Sequence, residues 1–201
     1  DYDAIAREVL TDIGYNADEF EIIKQISEQS PDINQAVVKD ELRANDQGMA
    51  YGYATNETNE YMPLPIIVAH KLMKKYDEFR RCHDNYFADA KSQVSVIYED
   101  GDPVGLSTVL VSVSHSDKLT KEEIRNVIAE EVISPVLVEY ANLLTNETDL
   151  IVNPSGKFTI WGSFGDSGCV GRKIVVDTYG GVGRVGGGCF SSKNSTNFLW
   201  F

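Results

Sequence analysis

The stretch KSQVSVIYEDGDPVGLSTVLVSVS, residues 91–114, decides the fold. Over residues 91–99 apolar and polar side chains alternate, which puts Val94, Val96 and Tyr98 on one face. A period of two is the pattern of a half-buried strand. Asp100-Gly101-Asp102 interrupts it, and residues 104–114 alternate again, so the stretch reads as a hairpin closed by an Asp-Gly turn. On either side the period becomes helical. Residues 63–81 begin with prolines and set Ile66, Ile67, Ala69, Leu72, Met73, Tyr76 and Phe79 along one side. Thr120-Lys121-Glu122-Glu123 is a capping box ahead of Ile124, Val127, Ile128 and Val132, and Pro135 is expected to break or kink that helix. A hairpin flanked by helices, without regular β-α alternation, reads as an α+β fold: a mostly antiparallel sheet with helices on one face.

Further out, Ile5, Val9, Leu10 and Ile13 have helical spacing over residues 3–13, and Gly14 follows as a stop. Residues 20–26 are a strand candidate. Residues 28–47 lose all periodicity, and Ser30-Pro31-Asp32 is expected to open a polar loop. Residues 150–152 and 173–176 read as strands, the latter too apolar to lie exposed.

The chain has 201 residues, 42% hydrophobic and 24% charged, and a net charge of −13. This is the composition of a soluble globular protein. The negative charge disfavours a phosphate backbone, so nucleic acid is not an expected partner. No apolar run reaches about 18 residues, so no membrane span is expected. The chain opens with Asp1-Tyr2-Asp3 and without Met, which reads as a start inside a longer reading frame with no secretory leader. Cys82, Cys169 and Cys189 form no CxxC pair and are expected to be reduced thiols in a cytoplasmic protein.

Charge is unevenly spread. Residues 1–60 carry 14 acidic and 4 basic side chains, whereas residues 151–201 carry 2 and 5, along with 11 of the 16 glycines. Cationic side chains among glycines suit a polyphosphate, because the charges neutralise oxygens and bare backbone lets N–H groups approach. Two familiar nucleotide motifs fail in detail. Gly181-Val182-Gly183-Arg184-Val185-Gly186 fits GxGxxG, but no helix pattern follows and no acidic residue occurs after Asp177. In Gly187-Gly188-Cys189-Phe190-Ser191-Ser192-Lys193 the residues flanking Lys193 are Ser192 and Asn194, where a P-loop needs Gly and Ser or Thr.

Taken together, several segments resemble the S-adenosylmethionine synthetase (methionine adenosyltransferase) family. They are Gln29-Ser30-Pro31-Asp32-Ile33-Asn34-Gln35, similar to its mobile active-site loop, and Asp46-Gln47-Gly48 with Gly52-Tyr53-Ala54-Thr55-Asn56-Glu57, similar to its first signature. Asp89-Ala90-Lys91-Ser92-Gln93-Val94 resembles its nucleotide-binding strand start, and Pro154-Ser155-Gly156-Lys157-Phe158 follows in family order. Gly165-Asp166, the run from Gly171 to Gly181, and Gly186 to Lys193, similar to the second signature, complete the set.

The resemblance implies synthesis of S-adenosylmethionine from ATP and L-methionine, with release of phosphate and pyrophosphate and with Mg²⁺ and K⁺ as cofactors. It implies three similar α+β domains per subunit and a homodimer or dimer of dimers. This chain would supply the end of the first domain (residues 1–40), the central domain (41–159) and the start of the third (160–201). By the same resemblance Lys91, Arg172, Lys173 and Lys193 meet the triphosphate, where Arg grips two oxygens and Lys acts as a point charge. Asp89, Ala90, Lys157, Phe158, Asp166 and Cys189 join them in binding ATP, with adenine packed on Phe158. Gln29, Asp166 and Asp46 face methionine. No Ser-His-Asp or Cys-His arrangement is needed, because the substrate's own sulfur is the nucleophile and the protein must orient it and stabilise the leaving triphosphate.

The sequence departs from the family pattern in places. No Gly-His-Pro-Asp-Lys segment is present, so no metal ligand is assigned in this chain. Asn194, Asn197 and Leu199 stand where the family has an acidic residue, a Lys and an Asp, and Trp161 and Ser163 replace small or turn residues. The isolated 201-residue chain is therefore expected to be inactive. The alternative reading is a truncated, non-catalytic relative that binds ATP or pairs with an intact subunit.

Overall fold

The computed structural model describes residues 1–37 and 49–190. They fall into two compact units. One draws on the described parts of Asp1–Ala50, Val170–Ile174 and Gly186–Phe201; the other is Tyr51–Cys169 with Val175–Val185.

The second unit is built on the hairpin. Strands β1 (Tyr86–Glu99) and β2 (Asp102–His115) pair antiparallel, with Glu99 opposite Asp102 at the turn and Tyr86 opposite His115 at the far end. Asp100 and Gly101 have φ of 51° and 93°. Positive φ at both central residues is what a two-residue type I′ turn requires, and Asp-Gly supplies it cheaply. A third strand, β3 (Asp149–Val152), pairs parallel to β2, giving the order β1-β2-β3. The parallel pair follows from the helices that return the chain between β2 and β3.

Helix α3 (Leu64–Arg80) starts with Pro in its first turn and buries Leu64, Val68, Leu72, Tyr76 and Phe79. This stripe is shifted from the side read off the sequence: Ile66 and Ile67 lie half-buried on its flank. Helix α4 (Lys121–Ile128) has the expected capping box, with the Thr120 N–H and hydroxyl both donating to Glu123 Oε2 at 2.8 and 2.7 Å. Pro135 neither breaks nor stops the helical path. A π-helical turn (Ala129–Ile133) precedes it, and the path continues as α5 (Ser134–Leu137) and a 3₁₀ segment (Val138–Leu143). The wider turn takes up the clash and the missing N–H that proline brings to a regular helix. Ile124, Ile128, Val132, Ile133 and Leu137 meet Leu106, Val109, Val111, Val113 and Val152 of the sheet in one core.

In the first unit, α1 (Tyr2–Ile13) ends at Gly14 in the left-handed region, as the glycine stop predicts. Two expectations fail there. Residues 20–26 form no strand; Ile23 is 84% exposed, and the described residues of the first unit include no strand to take their hydrogen bonds. The stretch expected to be a loop from residue 28 holds a short helix, α2 (Pro31–Val37), with the proline in its first turn, where its missing N–H costs nothing. The strand expected over residues 173–176 is absent as well. Its second half, in the second unit, is a turn: the N–H groups of Thr178 and Gly180 both reach Val175 O, and the Val176 carbonyl accepts from His70 Nε2 at 3.0 Å. Backbone groups committed to a turn are not available for a ladder, and Val175 and Val176 are 44% and 47% exposed.

Leu72→Ala is expected to destabilise the chain by about 2–5 kcal/mol, read as a lower urea midpoint at unchanged slope. Hydrogen bonds from Thr120, backbone first and then hydroxyl, hold the Glu123 carboxyl below its ordinary value. A depressed folded value stabilises above the unfolded carboxylate range, and the contribution is lost as pH falls through the folded value. Glu123→Gln should therefore flatten part of the acid-side fall in melting temperature.

Candidate functional site

Asp89, Ala90 and Lys91 lie on β1, where Ala90 pairs with Val113 and Lys91 with Ser112. Hydrogen bonds and a ring stack fix this end of the strand. The Tyr76 hydroxyl, on α3, donates to Phe87 O at 2.7 Å and approaches Ser114 O at 3.3 Å. Burial pushes this hydroxyl well above its ordinary pKa, so it stays a donor. The Ser114 hydroxyl donates to Asp89 O at 2.7 Å. The Asp89 carboxylate accepts the Gly162 N–H through Oδ2 at 2.7 Å, and the Phe87 ring stacks on Trp161 with centroids 5.2 Å apart. A carboxylate has about four acceptor positions, so Asp89 retains capacity for further donors.

Lys157 and Phe158 follow β3. Their approach is set by Asn153, which is 2% exposed and has φ of 44°. Its side chain accepts from Val113 N–H at 2.8 Å and donates to Val113 O at 3.0 Å, while its own N–H donates to Val111 O at 3.1 Å. Asn tolerates the left-handed region better than most residues, so it turns the chain and satisfies β2 at once. Beyond it Lys157 is exposed and Phe158 half-buried. His115 N–H donates to Phe158 O at 3.0 Å. A short 3₁₀ helix (Gly162–Phe164) then leads to Asp166, exposed, whose N–H donates to Gly162 O at 3.0 Å.

The second unit thus brings Asp89, Ala90 and Lys91 near the segment that carries Asp166, through the Asp89–Gly162 bond. It joins Phe158 to the end of β2. The first unit holds Gln29, Arg172 and Lys173, all exposed, and Cys189, partly buried. Gly171, at φ 76°, leaves no room for a side chain, since a Cβ would overlap that of Cys189. Asp46 and Lys193 lie outside the described residues. Sequence reasoning missed Ser114, Asn153 and His115 and counted Tyr76 only as core. The period-two pattern reports which face a residue shares, not which backbone groups its polar atoms reach. Asn153 beside Pro154 was the one turn signal that pointed to its place.

Among the described residues no group of three or more His, Cys, Asp or Glu side chains is placed to hold a metal ion. All three cysteines are free thiols, and no described helix is long and apolar enough to cross a membrane.

Fold and residues together define an α+β chain that sets a carboxylate and an ammonium two residues apart on one strand, with the backbone of Phe158 bonded to the last residue of the partner strand. A family model described as the central domain of S-adenosylmethionine synthetase matches residues 41–158, and one described as its C-terminal domain matches residues 160–198. Over 219 residues the chain is 43% identical to S-adenosylmethionine synthase of Petrotoga mobilis, covering 98% of this chain and 54% of that protein. Over 222 residues it is 41% identical to S-adenosylmethionine synthase of a Picosynechococcus species, covering 96% and 53%. The chain belongs to the S-adenosylmethionine synthetase family, and it spans about half the length of the curated relatives it matches.

Asn153→Ala removes a buried pair of hydrogen bonds and leaves the Val113 N–H without its partner. A loss of about 1–3 kcal/mol is expected, with faster amide exchange at Val113. A change of only a few tenths would contradict the role given to Asn153.

Proposed function

We propose that this chain carries the nucleotide-binding part of a methionine adenosyltransferase, which joins ATP and L-methionine into S-adenosylmethionine and releases phosphate and pyrophosphate. The observation that carries this reading is identity above 40% to S-adenosylmethionine synthases over nearly the whole chain. The methionine sulfur attacks C5′ of ATP and the C5′–O bond to the triphosphate breaks; water then splits the triphosphate. The protein's part is to align sulfur and carbon and to hold the leaving anion.

In this reading Lys91, Arg172, Lys173 and Lys193 neutralise the triphosphate, Asp89 accepts from the ribose hydroxyls, and adenine packs on Phe158. Lys157 and Cys189 contribute through backbone groups, and Ala90 joins them in binding ATP. Asp166, Gln29 and Asp46 face the polar end of methionine. Mg²⁺ and K⁺ belong to the activity of the longer enzyme and would come with residues other than those described. The domain division at residues 40 and 159, a homodimer or dimer of dimers, and a cytoplasmic location are part of the same proposal.

A second reading has an observation of its own. Leu199 stands where the family has a metal-binding Asp, and Leu cannot ligate a metal. That favours a non-catalytic relative that binds ATP or pairs with an intact subunit. The two readings separate in one assay. Under both, the 201-residue chain alone makes no S-adenosylmethionine from ATP, L-methionine, Mg²⁺ and K⁺; product would contradict the expected inactivity. The enzyme reading further expects product when the chain stands within a subunit as long as its relatives, and its absence there favours the second. Arg172→Gln and Lys91→Gln should each weaken ATP binding about tenfold or more, the scale of losing one charge-assisted bond. Unchanged affinity in either variant would remove that residue from the triphosphate site.

A further inference from the structure

His115 is a buried titratable side chain of the second unit to which neither the motifs nor the proposed chemistry gives a role. It ends β2 and is 2% exposed. Its Nδ1 lies 2.8 Å from Ser116 O, and its Nε2 lies 3.2 Å from the backbone nitrogen of Phe158. A carbonyl oxygen only accepts, so Nδ1 carries the hydrogen. A backbone N–H only donates, so Nε2 presents its lone pair. The two neighbours therefore admit one state, the neutral Nδ1–H tautomer. The backbone of His115 grips the same residue from the other side, its N–H donating to Phe158 O at 3.0 Å. The grip is anchored, since His115 pairs with Tyr86 and the next N–H, of Ser116, donates to Asn85 O at 2.8 Å.

We propose that His115 is a positioning residue for the nucleotide: its ring accepts the Phe158 N–H and so fixes the aromatic side chain on which adenine packs. The proposal rests on the reading of Phe158 given above. An apolar residue would fill the same volume, but it would leave the Phe158 N–H without its partner and residue 158 held by one bond instead of two. The ring thus touches the backbone of a site residue, and its removal should act on nucleotide affinity more than on global stability.

Two substitutions isolate the acceptor. In His115→Gln the side-chain oxygen can reach the Nε2 position. In His115→Asn the shorter amide can still donate to Ser116 O but puts no acceptor near Phe158. The experiment compares ATP affinity and melting temperature for the unsubstituted chain, H115Q, H115N and Phe158→Ala, together with imidazole nitrogen spectra of the unsubstituted chain. The expected spectra are those of a neutral ring protonated at Nδ1. ATP affinity should fall about tenfold in H115N and be largely kept in H115Q, with closely similar melting temperatures for the two. A ring that is charged or protonated at Nε2 overturns the proposal. So does ATP affinity that is unchanged in H115N while Phe158→Ala weakens it, and in that case the adenine reading stands. Phe158→Ala with the affinity of the unsubstituted chain overturns the adenine reading and the positioning role with it.

Discussion

The antiparallel pairing of Tyr86–Glu99 with Asp102–His115 is the constraint on which the second unit depends. It sets the face that α3 and the later helices cover, because a one-residue slip would turn every side chain of a strand to the other side. It also sets the far end of the hairpin, opposite the Asp-Gly turn, as the place where polar groups gather. Tyr76 and Ser114 tie the two strands there, Asn153 turns the chain beyond β3 against β2, and His115 clasps the segment that follows. The candidate site residues Asp89 and Phe158 are attached to the framework through backbone bonds. That leaves the outward side chains of Lys91 and Lys157 exposed and Phe158 half-buried.

The proposed chemistry would ask little of the chain in reactive groups and much in placement. Under that proposal a sulfur nucleophile and a triphosphate leaving group both arrive with the substrates, so rate would come from alignment and from charge fixed in advance. A carboxylate whose Oδ2 is already bonded to a backbone N–H, as in Asp89, is such a fixed group. A ring held at both backbone atoms, as in Phe158, is another. Under the proposed function neither would have to be reorganised when ATP binds.

The hairpin, α1, α3, α4 and β3 were legible because period and caps act locally: alternation over residues 91–114, Gly14 as a stop, Thr120 with Glu123 as a box. What was not legible depended on partners. Residues 20–26 and 173–176 have strand-like composition, but composition cannot supply the neighbouring edge that a strand needs, and Val176 instead gives its carbonyl to His70. Pro135 reads as a break or kink because the widened turn ahead of it has no sequence mark. Among site residues, Asp89, Lys91 and Phe158 came from the resemblance, whereas Tyr76, Ser114 and His115 depend on which carbonyl or N–H lies across from them. Distances of that kind are fixed by packing, not by spacing along the chain.

The most direct test of the central account is the structure of the chain with a non-hydrolysable ATP analogue. The account predicts adenine stacked on Phe158, a ribose hydroxyl donating to Asp89, and a phosphate oxygen within salt-bridge reach of Lys91. An analogue bound away from Phe158 and Asp89, with the Asp89–Gly162 bond and the His115–Phe158 clasp both intact, would contradict it.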